Sequence, residues 1–122
     1  RNFVLGDFNR IEGEYSAVIG GAQIVVNTSF GASVGGLGNT VSAQNAVAIG
    51  GLENSISGPN SASVGGVSAR VSGFAASVAG GQFCRAIGNF SVVTGGFANL
   101  AEGYGAWAGG GEWNRAQGWW SS

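Results

Sequence analysis

The sequence predicts an all-β protein: a parallel β-solenoid (β-roll) of about eight 15-residue coils, each with two short strands and a Gly-Gly corner. Three observations lead there. The pair Gly20-Gly21 recurs as Gly35-Gly36, Gly50-Gly51, Gly65-Gly66, Gly80-Gly81, Gly95-Gly96 and Gly110-Gly111, always fifteen residues apart. A column five residues beyond each pair is apolar in every copy: Ile11, Val26, Val41, Ile56, Val71, Ala86, Ala101 and Ala116. Glycine supplies 25 of 122 residues. Glycine at that density excludes helix, where each one costs about 1 kcal/mol relative to alanine.

With the Gly pair as positions one and two, the coil can be followed in order. Position two holds Gly21, Gly36, Gly51, Gly66, Gly81, Gly96 and Gly111, and Gly6 one step upstream, so a glycine stands there in all eight copies. These are the structural corner residues, because glycine alone takes sharply bent or left-handed backbone without a Cβ penalty. Position five reads Asn9, Ile24, Asn39, Asn54, Ala69, Cys84, Asn99 and Asn114. Stacked coils would place Asn39 beneath Asn54, where side-chain amides can form a ladder; Asn as an ordinary turn residue is an equal reading. Cys84 falls in this column and reads as a small stacked residue, not a nucleophile.

Positions six and eight are mostly polar and position seven never is, the period-two alternation of a strand with one buried face. Position nine is glycine in six of eight copies, among them Gly58, Gly73 and Gly88, and is expected to be a second bent corner. Aromatic residues cluster next, at Tyr15, Phe30, Phe74, Phe90, Tyr104, Trp119 and Trp120, with Phe8, Phe83 and Trp113 at position four. The second strand then precedes the next pair, as in Ala46-Val47-Ala48-Ile49 and Ser61-Ala62-Ser63-Val64. No copy of it carries a charge. A strand apolar on both faces is expected to be buried on both, one against the coil core and one against another copy of the chain. Arg1-Asn2-Phe3-Val4 is expected to fill the last four positions of a coil. Residues 1–122 then form a single solenoid domain, expected to be a segment of a longer fibre.

Composition narrows function mainly by exclusion. Net charge is −1, with neither lysine nor histidine. Clustered basic residues, which nucleic acid or an anionic membrane would require, are missing, so neither is an expected partner. Apolar runs are too short for a membrane-spanning helix. Without histidine there is no Ser-His or Cys-His pair, and a single aspartate excludes the calcium-binding nonapeptide solenoid. Glu12 and Glu14 read as solvated charges at an end coil. Thr28, Thr40 and Thr94 share no column, which argues against an ice-binding threonine ladder. No enzymatic activity, metal or cofactor is therefore expected. Trp113, Trp119 and Trp120 are the candidate contacts to a ligand or partner, with packing between coils or subunits as the plainer reading.

Asn45-Ala46-Val47-Ala48-Ile49-Gly50-Gly51 and Asn60-Ser61-Ala62-Ser63-Val64-Gly65-Gly66 resemble the head repeats of trimeric autotransporter adhesins of the YadA-like type. They are also similar to the Asn/Gly-rich repeats of phage tail fibres and spikes. The resemblance covers nearly the whole chain. It implies a parallel β-roll, three of which pack about one axis, at a cell or virion surface, in a protein that adheres to host protein or glycan. The repeat here is slightly longer than the usual adhesin-head repeat. The expected function is a structural and adhesive segment of a trimeric surface or virion fibre. The alternative is the subunit of a self-assembling extracellular filament, in which coils continue from copy to copy.

Overall fold

The computed structural model covers residues 1–122 and contains sixteen short strands and no helix. The strands before each Gly pair, Phe3–Val4, Ala17–Ile19, Ala32–Val34, Val47–Ile49, Ala62–Val64, Ser77–Ala79, Val92–Val93 and Trp107–Ala108, form one eight-stranded sheet. Those after it, from Arg10–Ile11 to Arg115–Ala116, form a second. All pairing is parallel and joins each strand to its counterpart one coil on, as in Ala17 with Ala32 and Val41 with Ile56. The β-solenoid of about eight 15-residue turns predicted from the glycine period is the observed fold.

The register breaks once. Phe3 and Val4 pair with Ala17 and Val18, a spacing of fourteen. They therefore occupy positions thirteen and fourteen, not the last two positions of the coil as expected. Leu5-Gly6 replaces a full Gly pair, and the missing residue accounts for the shift.

A third ladder joins the two sheets. Asp7, Ala22, Leu37, Leu52, Val67, Gln82, Phe97 and Glu112, all at position three, pair in parallel as single-residue bridges. Three ladders per coil need three turns, and each turn carries left-handed backbone. The Gly pair supplies the first; Gly50 and Gly51 have φ of 67° and 79°. The other two fall at positions four and eleven, where non-glycine residues predominate: Glu53, Phe83 and Trp113 lie at φ 55°, 56° and 58°, Asn45, Ala75 and Phe90 at 57°, 52° and 58°. Such residues cost roughly 1–2 kcal/mol each in this region. Stacking of the ladders overrides that cost.

Position nine is the correction to the sequence reading. Gly58, Gly73, Gly88 and Gly103 do not have positive φ. They are glycine because successive coils approach so closely there that a Cβ on Gly58 would run into the backbone of Gly73. The left-handed bend expected at this corner lies two residues further on, at position eleven.

Inside the coil, position seven of the second sheet (Val26, Val41, Ile56, Val71) and position fourteen of the first (Val18, Ala48, Val78, Val93) are fully or almost fully buried. Ser33 and Ser63 share the second column, and their hydroxyls, like that of Ser91, are buried without a hydrogen-bond partner. Position five completes the interior. Its asparagines form a ladder, but not amide to amide. The side-chain carbonyl of Asn54 accepts the backbone N–H of Ala69 at 2.9 Å, and its Nδ2 donates to the carbonyl of Gly65 at 2.9 Å. Asn99 does the same with the N–H of Asn114 and the carbonyl of Gly111. Cys84 is buried in this column, its thiol a weak donor to the carbonyls of Gly95 and Gly96. An amide-to-amide contact does occur elsewhere: Asn45 Nδ2 donates to Asn60 Oδ1 at 3.0 Å on the exposed position-eleven corner.

Candidate ligand groove and assembly face

Two surfaces stand out. The first is the outer face of the uncharged sheet. Since position fourteen points inward, positions thirteen and fifteen point outward. Position fifteen exposes Ile19, Val34, Ile49 and Val64, by 47%, 40%, 43% and 49%. Ala17, Ala32, Val47 and Ala62 lie half-buried beside them. In the central coils the apolar surface continues around the bare Gly corner to Leu37 and Leu52 of the third ladder, also exposed. Within one chain this strand thus has one face in the core and the other open, and the open face is the one expected to meet another copy. A column of branched aliphatic residues along a rod is a surface that soluble monomers rarely leave uncovered.

The second surface is a groove of about 660 Å³ on the charged sheet, between positions four and six of the last coils. The alternation places Asn99 inward at position five and throws its neighbours Ala98 and Leu100 outward. Ala98 is small and stands between Phe83 and Trp113 in its column, so a hollow opens between the two rings. Phe97 backs it, with ring centroids 5.7 Å from both Phe83 and Trp113, edge-on in each case. The opposite wall is the position-six column, Arg70, Arg85, Leu100 and Arg115, whose strands pair directly, Arg70 with Arg85 and Leu100 with Arg115. Arg115 is neutralised: its Nε and Nη2 bond the two carboxylate oxygens of Glu102 at 3.0 and 3.2 Å. Gln117 also donates to Glu102 at 2.9 Å, and this bond, then Arg115, holds the Glu102 carboxyl below its ordinary pKa. Arg70 and Arg85 make no ion pair.

The three tryptophans singled out from the sequence are therefore divided. Trp113 belongs to the groove. Trp119 and Trp120 lie on a different corner, each with its ring centroid 5.6 Å from Tyr104, which in turn meets Phe90 at 5.4 Å and, through it, Phe74. Tyr15 and Phe30 stack there too, nearly parallel, with ring centroids 5.4 Å apart. Rings of successive coils meet along this corner, while Trp119 and Trp120 themselves stay 80% and 73% exposed. The groove escaped notice in the sequence, where position six read only as a mostly polar column. Its signal was the run of arginines at position six beside aromatics at position four.

Fold and surfaces together define a β-solenoid repeat protein with one open apolar sheet face and one cationic, aromatic-lined groove. No protein-family model and no curated protein matches the sequence.

Proposed function

We propose that the chain is a non-enzymatic structural and adhesive segment of an extracellular fibre, at a cell or virion surface, in which three copies pack side by side through their uncharged sheets. The observation that carries this reading is the outward column Ile19, Val34, Ile49 and Val64, one branched aliphatic in each of four successive coils and none of them charged; the column continues as Ala79, Thr94 and Gly109, also without charge. A cyclic assembly covers the same face on every copy, and copies with the same rise per coil stay in step along a shared axis. Charge does not oppose the contact: Arg10, Glu12, Glu53, Arg70, Arg85 and Arg115 all lie exposed outside the uncharged sheet. The resemblance of the repeats to trimeric adhesin heads supports the number three. Sedimentation equilibrium tests the proposal. A discrete mass of three chains is expected; a soluble, stable monomer overturns it, and open-ended polymers favour the filament alternative.

A further inference from the structure

We propose that the hollow over Ala98 binds an acidic saccharide, with sugar ring faces against Phe83, Phe97 and Trp113 and a carboxylate or sulfate on Arg85 and Arg70. The proposal deepens the adhesive half of the preceding reading and is independent of its self-association half.

Size, shape and charge each contribute. The volume of about 660 Å³ lies within the range of small-molecule sites. Three rings form one wall, and Phe97 fixes the other two edge-on, so their remaining faces are offered outward at little entropic cost. The opposite wall holds Arg70 and Arg85 on strands one coil apart, a backbone spacing of about 4.8 Å. Like charges on directly paired strands repel each other. An anion between Arg70 and Arg85 relieves that repulsion, and a planar carboxylate or a sulfate matches the guanidinium fork. Glu102 bonds Arg115 and Gln117 and reaches Arg85 only through space, as the weakest of its electrostatic neighbours, and no acidic side chain lines the hollow.

Two other anionic partners fit less well. A peptide strand would seek unpaired backbone, but the groove floor is the face of a sheet whose N–H groups are spent on the next coil, as in Arg85 on Asn99 and Leu100 on Asn114. Single-stranded nucleic acid also uses rings and cations, but it tracks a continuous positive path. Here two unpaired arginines stand on a chain of net charge −1. The groove is short, locally cationic and ring-lined, which suits a few sugar units bearing acid groups.

Calorimetric titration of the assembled protein at physiological salt tests this with four probes: a heparin hexasaccharide, a hyaluronan hexasaccharide, neutral maltohexaose and a six-residue oligothymidylate. At least one acidic saccharide is expected to bind with a dissociation constant below about 1 mM. Binding of the heparin fragment alone identifies sulfate as the recognised group, and binding of both identifies carboxylate. Arg85→Gln and Trp113→Ala should each weaken binding about tenfold, a loss of about 1.4 kcal/mol. Arg10→Gln, in the same column at the far end, should leave it unchanged. Equal binding of maltohexaose, equal or tighter binding of the oligothymidylate, insensitivity to Arg85→Gln, or no binding at all overturns the proposal. Sedimentation of the same samples reports the assembly separately, so failure of the groove and failure of the trimer are distinguishable.

Discussion

The backbone N–H of Asn54 donates to the side-chain carbonyl of Asn39 at 3.0 Å, and both residues are wholly buried. Each asparagine thus stitches its coil to the next. Asn54 passes the contact on to Ala69 and also caps the carbonyl of Gly65 at the corner. Asn54→Ala strands a buried donor and a buried acceptor together and should destabilise by about 3 kcal/mol. Chemical denaturation measures it. A loss below about 1 kcal/mol would show that the amide contributes little beyond filling space.

The two glycines of a corner are not equivalent. Both lie at positive φ, but a Cβ on Gly50 would meet nothing, whereas one on Gly51 would lie 2.5 Å from the carbonyl oxygen of Gly66. Gly50→Ala should cost only the backbone strain, about 1 kcal/mol. Gly51→Ala adds a collision with rigid backbone and should cost on the order of 3 kcal/mol or more. Equal denaturation midpoints for the two variants would remove the distinction.

The corner glycines and the core column were legible in the sequence because both depend on residue type at a fixed spacing. Gly51 has no substitute, and Val71 must be apolar. Positions four and eleven were not legible, for a physical reason. Their left-handed backbone is imposed by ladders above and below, so Glu53, Phe83, Ala98 and Trp113 all adopt it regardless of preference. The groove was half legible. Arg70 and Arg85 sit fifteen apart in plain view, but the hollow between Phe83 and Trp113 exists only because Ala98 falls between them once the coils stack. Seeing that position four faces outward beside position six required the turn that the sequence did not disclose.

Relief of that imposed strain is measurable. Ala75 lies at φ 52° on the position-eleven corner, away from the groove. Glycine accepts this conformation freely, so Ala75→Gly should stabilise the fold by up to about 1 kcal/mol, after subtracting the greater entropy of glycine in the unfolded chain. A lower denaturation midpoint would mean that the methyl group packs usefully at that corner.

Ser63 offers a second stabilising change. Its hydroxyl is buried in the core column without a partner, where Ala48 one coil below has only a methyl group. Ser63→Ala removes an unsatisfied polar group at nearly constant volume and should stabilise by about 1 kcal/mol. Neutrality or loss in a denaturant melt would mean that the hydroxyl finds a bond in solution.

Neighbouring residues of one strand separate folding from assembly. Ala48 is fully buried and faces the coil interior, while Ile49 is 43% exposed and faces away from it. A carboxylate at position 48 has no counter-charge within the coil and would be buried among the core column, at a cost of several kcal/mol. Ala48→Glu should therefore fail to fold, with no cooperative transition on heating. At position 49 the new charge lies in water on the isolated chain and becomes buried only when a second copy covers the sheet. Ile49→Glu should keep the β-sheet circular dichroism spectrum of the parent but sediment as single chains. Val47, half-buried on the same outward side, should give the same result with Val47→Glu. If Ile49→Glu remains assembled to the same mass as the parent protein, copies meet through some other surface, and the uncharged sheet is not the interface.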